Sequence, residues 1–330
     1  MNVVDTTEPQ LPIAGQTIDH RFEIRVALGD GGMGQVYRAY DRRTDREVAL
    51  KLLIPRYIGR PEREQRFLRE AELGQRARHH HLVSYLEAGR LREHAWPFLA
   101  MALVEGHDLG IRLVEGPLPG RQATVIARQI AGAVRALHRA GVVHRDVTAM
   151  NVIIKGDHAT LIDLSHAGDL TLPQVPRGQP GRLTQLNEVP GTHHYMSREQ
   201  ANADPAEPSM DVYAFGVTLV HMLTGRTPRG YGREEFIAMQ RRGMIESPRI
   251  DPRIYSDAPL PLVDLAHQCV RQVAAERPSM DEIVDRLDAL LAMMLVSIEP
   301  THPEAAANDI GHAAERHPDA PRPRVRRAPP

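Results

Sequence analysis

Apolar positions change their period once along this chain. Between Phe22 and Val104 they alternate with polar ones in short runs, such as Val36–Tyr40 and Val48–Leu53, which is the two-residue period of strands. One helical interruption is predicted from about Glu62 to Ala77. From Thr124 onward the period lengthens. Ile126, Ile130, Val134 and Leu137 share a helical face, as do Leu262, Leu265, Ala266, Cys269 and Val270. Met280, Ile283, Val284, Leu287 and Leu291 form a third such face, opened by a capping-box pair, Ser279 and Glu282, after Pro278. The pattern predicts an α+β, bilobal fold: a small β-rich lobe with one helix, then a larger, mainly helical lobe. No internal repeat is visible.

The two ends lack any such period. Residues 1–19 read as a loose leader, and residues 299–330 as a Pro/Arg-rich tail too poor in apolar residues to offset its ordering entropy, hence disordered. The tail arginines, Arg322, Arg324, Arg326 and Arg327, read first as a solvated stretch. Residues 20–298 remain as the folded unit, with lobes at 20–104 and 105–298. A hydrophobic share of 42% with 25% charged residues is that of an ordinary globular protein. A net charge of −1 gives no field for nucleic acid or an anionic membrane, so neither is expected as a partner. A single cysteine, Cys269, excludes an internal disulfide and fits a reducing compartment. Met1–Gln16 lacks the basic start and apolar run of a signal peptide, and the longest apolar run, Ala289–Val296, is too short to cross a bilayer. A cytoplasmic location is the expectation.

Chemistry enters at Gly29-Asp30-Gly31-Gly32-Met33-Gly34, which fits G-x-G-x-x-G. A dinucleotide site would need a helix opening at the third glycine. Here Gln35–Tyr40 is β-branched and aromatic and breaks at the charged turn Asp41–Asp45, so the segment reads as a glycine hairpin; no Walker lysine follows. Next comes Val48-Ala49-Leu50-Lys51, a lysine at the end of an apolar strand. Its ordinary reading is a solvated edge residue. After a glycine hairpin it also fits a lysine that pairs with ATP phosphates. Such a lysine needs a carboxylate, and the predicted helix offers Glu70 and Glu72.

His144-Arg145-Asp146 followed by Asn151 fits H-R-D-x-x-x-x-N, and Asp163 follows the apolar run Ala159–Ile162. A carboxylate to orient an attacking hydroxyl and hard oxygen donors for Mg²⁺ are what phosphoryl transfer needs. Together these residues resemble the catalytic domain of Hanks-type serine/threonine protein kinases. Gly191–Gln200 resembles the end of that family's activation loop, and Asp211–Gly216 and Leu223-Thr224-Gly225 the start and end of its buried helix. Arg277 resembles the arginine that pairs with the glutamate at Glu199. The likeness spans residues from about 20 to 292.

The resemblance implies ATP-dependent phosphorylation of serine or threonine on protein substrates, with ATP and Mg²⁺ as cofactors. It implies that Asp146 orients the acceptor, that Lys51 is held by Glu70 in preference to Glu72, and that Asn151 and Asp163 hold the metal. Leu28, Gly29, Gly31, Gly32, Gly34, Val36, Ala49, Met101, Ala102, Leu103 and Ile153 would surround the nucleotide, with Met101–Val104 as the adenine-facing connector. Thr192 would lie near the acceptor hydroxyl. Autophosphorylation is implied, with Thr184 as a candidate site answering to Arg145, and dimerisation for it is compatible.

Three positions depart from the family pattern. Thr148 stands where a lysine usually reaches the γ-phosphate; its hydroxyl is expected to offer a hydrogen bond in place of a charge. Asp163-Leu164-Ser165 replaces Asp-Phe-Gly, and Ser165 resists the backbone freedom of glycine. Ser197-Arg198-Glu199 lacks the usual proline. These departures support an alternative: a nucleotide-binding pseudokinase scaffold. The run His79-His80-His81 does not converge on a metal, since no Cys or carboxylate completes a set.

Overall fold

The computed structural model describes residues 10–92, 95–172, 193–227, 231–246, 250–251, 255 and 257–296. The tail 299–330, the first nine residues, and Thr184, Gly191 and Thr192 lie outside the described residues.

The alternating segments build one antiparallel sheet in the order β1-β2-β3-β4-β6-β5. Its strands are β1 (Thr17–Ile18), β2 (Phe22–Gly31), β3 (Gly34–Asp41), β4 (Arg46–Leu53), β5 (Tyr85–Arg90) and β6 (Pro97–Ala102). Phe22, Ile24, Tyr37, Ala39, Val48, Leu50 and Leu52 bury their side chains. The register sets Lys51 opposite Val36 on one side and Leu99 on the other, and Ala49 opposite Met101. Part of the leader joins the sheet: Thr17 and Ile18 pair with Glu23 and Phe22. Helix α1 (Pro61–Arg76) opens with a proline and has Glu62 and Glu64 in its first turn, both favourable at a helix N-terminus. It buries Phe67, Glu70, Ala71 and Leu73. Trp96 is part of this core; its indole N–H donates to the Leu53 carbonyl (2.6 Å).

The second lobe contains β7 (His107–Asp108), α2 (Leu109–Val114), α3 (Gly120–Arg139), β8 (Val142–Val143), β9 (Val152–Lys155), β10 (His158–Leu161), β11 (Gly168–Asp169), α4 (Arg198–Ala201), α5 (Pro208–Thr224), α6 (Arg233–Arg241), α7 (Leu260–Cys269) and α8 (Met280–Val296). Helix α5 is buried from Met210 to Thr224, and α3 packs against both α5 and α8. In α8 the fifth core residue is Leu290; Leu291, one step round the helix, is only half-buried. Cys269 is fully buried, and its thiol is pushed up to about 12 by that burial. Two small pairings position loops at the cleft: β9 joins β10 and β7, and β8 joins β11. Residues 144–151 leave β8 and enter β9, while 162–167 connect β10 to β11. Among the described residues no helix is long and apolar enough to cross a membrane.

Candidate active site

The glycine hairpin forms because Gly31 pairs with Gly34 across a two-residue tip. Gly34 is required by close approach: a Cβ there would lie 2.9 Å from Lys51 Cγ and 3.0 Å from the Leu52 carbonyl oxygen. Leu28 is exposed on β2, and Val36, Ala49 and Met101 lie on the neighbouring strands β3, β4 and β6. Ala102 ends β6, Leu103 follows it, and Ile153 pairs with Asp108 from β9. The predicted nucleotide-facing residues therefore come from both lobes.

Lys51 ends in a carboxylate cluster. Its ammonium donates to both oxygens of Glu70 (3.0 and 2.8 Å) and to Asp163 Oδ1 (3.1 Å). Burial alone would lower the Lys51 pKa, but the charges of Asp163 and Glu70 outweigh it and raise it, so the lysine is charged. Asp163 is likewise lowered, against its burial, by Lys51. Glu72 points outward and is exposed, so Glu70 is the partner. Tyr85, absent from the sequence reading, completes the cluster. Its hydroxyl donates to Glu70 Oε1 (3.0 Å) and accepts the Leu164 N–H (3.1 Å). A buried tyrosine on a strand carries no sequence signal of that role.

The 144–151 loop is anchored from below by Asp211. Its buried carboxylate accepts the backbone N–H groups of His144 (2.8 Å) and Arg145 (2.6 Å) and meets His138 Nε2 at 2.8 Å. Burial pushes the Asp211 pKa up, but His138 and these donors win and hold it down. They also hold Arg145 in a left-handed conformation (φ 65°), an uncommon one for a side-chain-bearing residue. Asp146 follows, and Asn151 Nδ2 donates to both its carbonyl (2.9 Å) and its Oδ2 (2.6 Å). The Ile162 N–H donates to the Asn151 carbonyl (2.9 Å), which sets the Asp163 turn beside the loop.

The donor chemistry fits Mg²⁺. With its amide nitrogen committed to Asp146, Asn151 keeps its amide oxygen for a cation, and Asp163 Oδ2 has no protein donor among the described residues. No group of three or more His, Cys, Asp or Glu among the described residues could hold a metal by itself, and this includes the His79–His81 turn. His81 Nδ1 instead meets the Ala159 carbonyl at 2.8 Å.

The structure corrects two expectations. Thr148 does not offer its hydroxyl to the cleft: the residue is fully buried, and Oγ1 has no hydrogen-bond partner among the described residues. The left-handed residue of the Asp163-Leu164-Ser165 turn is Asp163 (φ 63°), not Ser165, so serine is accommodated without strain. Its N–H donates to Asp163 Oδ1 (3.1 Å). One further residue escaped the sequence reading. His166 Nδ1 lies 3.8 Å from Asp146 Oδ2. Burial lowers its pKa to about 4 although Asp163 pulls it upward, so the ring is neutral near pH 7. Farther out, Arg277 Nη1 lies 2.8 Å from Glu199 Oε1, the pairing expected from the sequence.

A family model described as a protein kinase domain matches residues 22–287. The chain is 36% identical over 234 residues to serine/threonine-protein kinase PknL of Mycobacterium tuberculosis, covering 70% of this chain and 56% of that protein. It is 36% identical over 217 residues to serine/threonine-protein kinase PrkC of Bacillus subtilis, covering 66% of this chain and 32% of that protein. With serine/threonine-protein kinase pkn3 of Myxococcus xanthus it shares 30% identity over 287 residues, 86% of this chain and 51% of that one. The chain thus spans about half or less of the length of these relatives.

Proposed function

This chain belongs to the protein kinase domain family, and from that premise we propose that residues 20–298 transfer the γ-phosphoryl group of ATP to serine or threonine hydroxyls of protein substrates. The observation that carries the reading is the convergence of Lys51, Glu70 and Asp163 from both lobes within 3.1 Å of one ammonium. Lys51 pairs with the α/β-phosphates, and Glu70 with Tyr85 fixes its direction. Gly29–Gly34 covers the phosphates with backbone too close to Lys51 for a side chain at Gly34. Met101–Val104 faces the adenine. Asn151 and Asp163 would hold Mg²⁺, which when bound neutralises charge on the β- and γ-phosphates. Asp146, held by Asn151, accepts a hydrogen bond from the acceptor hydroxyl and aims its oxygen at the γ-phosphorus. As the new P–O bond forms and the bond to the β-phosphate oxygen breaks, the hydroxyl proton goes to the Asp146 carboxylate and ADP leaves. That these relatives are serine/threonine-protein kinases supports serine and threonine as acceptors. A cytoplasmic site of action and autophosphorylation at Thr184 belong to the same proposal.

Transfer of labelled phosphate from Mg-ATP to a generic protein acceptor tests it. Asp146→Asn is expected to lower kcat by about a hundredfold or more while leaving nucleotide binding intact. Equal signal from native protein and variant would favour the scaffold reading.

A further inference from the structure

Thr148 leaves the surroundings of Asp146 without the usual lysine, and its own hydroxyl is turned into the protein. His166 stands at that carboxylate instead. It closes the turn between β10 and β11, its side chain is 18% exposed, and its Nδ1 lies 3.8 Å from Asp146 Oδ2. The same Nδ1 is 3.1 Å from the Ser165 hydroxyl. With Arg145, Asp146, Tyr195, Met196 and Gln200, the ring lines a cavity of ≈ 20 Å³, the size of one water. Glycine at position 165 would offer the ring no such partner. The departures at 148 and 165 are therefore linked: one removes a group near Asp146, and the other steadies a ring beside it.

We propose that His166 is a positioning residue for the transfer reaction, its Nδ1–H passing from the Ser165 hydroxyl to Asp146 Oδ2 and setting that carboxylate against the acceptor hydroxyl. The inference rests on the phosphotransferase reading above. The move needed is about 1 Å, from contact to hydrogen-bond distance, and catalytic hydrogen bonds that are long in a free enzyme commonly tighten around bound substrate. A neutral ring acts here by direction and not by charge, so its contribution belongs to kcat, not to ATP affinity.

Two substitutions separate this role from packing. His166→Leu keeps apolar bulk and removes the donor; His166→Asn keeps an N–H near the position of Nδ1. Steady-state transfer to a generic protein acceptor is expected to show kcat about tenfold lower for the leucine variant, with the KM for ATP unchanged, and most of the loss recovered by asparagine. Native kcat in the leucine variant, or asparagine no better than leucine, overturns the proposal. A second measurement leaves His166 in place: the histidine ring resonances of nucleotide-free protein, compared with Asp146→Asn. A shift of the His166 signal is expected, and an unmoved one overturns the coupling. Native protein no more active than Asp146→Asn is a different result: it removes the phosphotransferase reading and this inference with it.

Discussion

Tyr85 shows how one hydroxyl can join three parts of a site. It donates to Glu70 on α1 and accepts from Leu164 beside Asp163, while its own strand belongs to the first lobe. Removing that oxygen leaves the buried Leu164 N–H without its partner and Glu70 with one donor fewer. Tyr85→Phe is therefore expected to cost about 1–3 kcal/mol, read as a lower urea midpoint with an unchanged slope. Lys51 would still contact Glu70, but with less constraint on its direction, so kcat should fall while the chain stays folded. An unchanged midpoint would mean that water replaces the hydroxyl and that the bridge carries no stability. Residues of this kind were not legible in the sequence. Lys51, Asp146, Asn151 and Asp163 were, because fixed spacing within short segments exposes them. Tyr85 and His166 act across 79 and 20 residues respectively (Tyr85 to Leu164, Asp146 to His166), and nothing local marks either one.

At the scale of elements, the position of α1 decides whether Glu70 meets Lys51. Among the contacts that hold the helix, three lie in its C-terminal half. Arg76 and Arg69 reach the buried carboxylate of Asp169 on β11 at 2.8 and 3.3 Å, and Gly74 sits flat against the Tyr85 ring. A Cβ at Gly74 would lie 2.1 Å from Tyr85 Cδ2. The ring cannot swing away without giving up both of its hydrogen bonds, so the helix must move instead. Gly74→Ala should destabilise by roughly 1–3 kcal/mol through overpacking, and this outweighs the gain of up to about 1 kcal/mol that alanine brings to a helix interior. Melting temperature and kcat should fall together; a more stable, fully active variant would mean that α1 and β5 slide freely. The helix itself was readable from its period, but its phase was not. Glu70 and Glu72 both fit the sequence, and only packing on β5 and β6 turns one inward and leaves the other exposed. Leu290 and Leu291 pose the same problem in α8. Period identifies a face to within about one residue, and neighbouring elements choose within it.

For the whole molecule, the lobes already meet through a charge pair that a nucleotide must rearrange. Lys51 comes from the sheet and Asp163 from the turn after β10, 3.1 Å apart. A triphosphate entering beside Lys51 competes with Asp163 for the ammonium and brings its own negative charge against that carboxylate. Without a cation the two would repel; were Asn151 and Asp163 to hold Mg²⁺, as proposed, they would attract. Mg-ATP at about a hundred times its Kd should stabilise the fold by about 2.7 kcal/mol, which for a folded unit of this size is a melting shift of roughly 4–6 °C. ATP with a chelator should give clearly less. Asp163→Asn removes both the repulsion and one metal donor, so the two conditions should converge on an intermediate shift. If the variant still distinguished Mg-ATP from chelated ATP as sharply as the native protein, the metal would have to be held elsewhere, and Asp163 would serve only to steer Lys51.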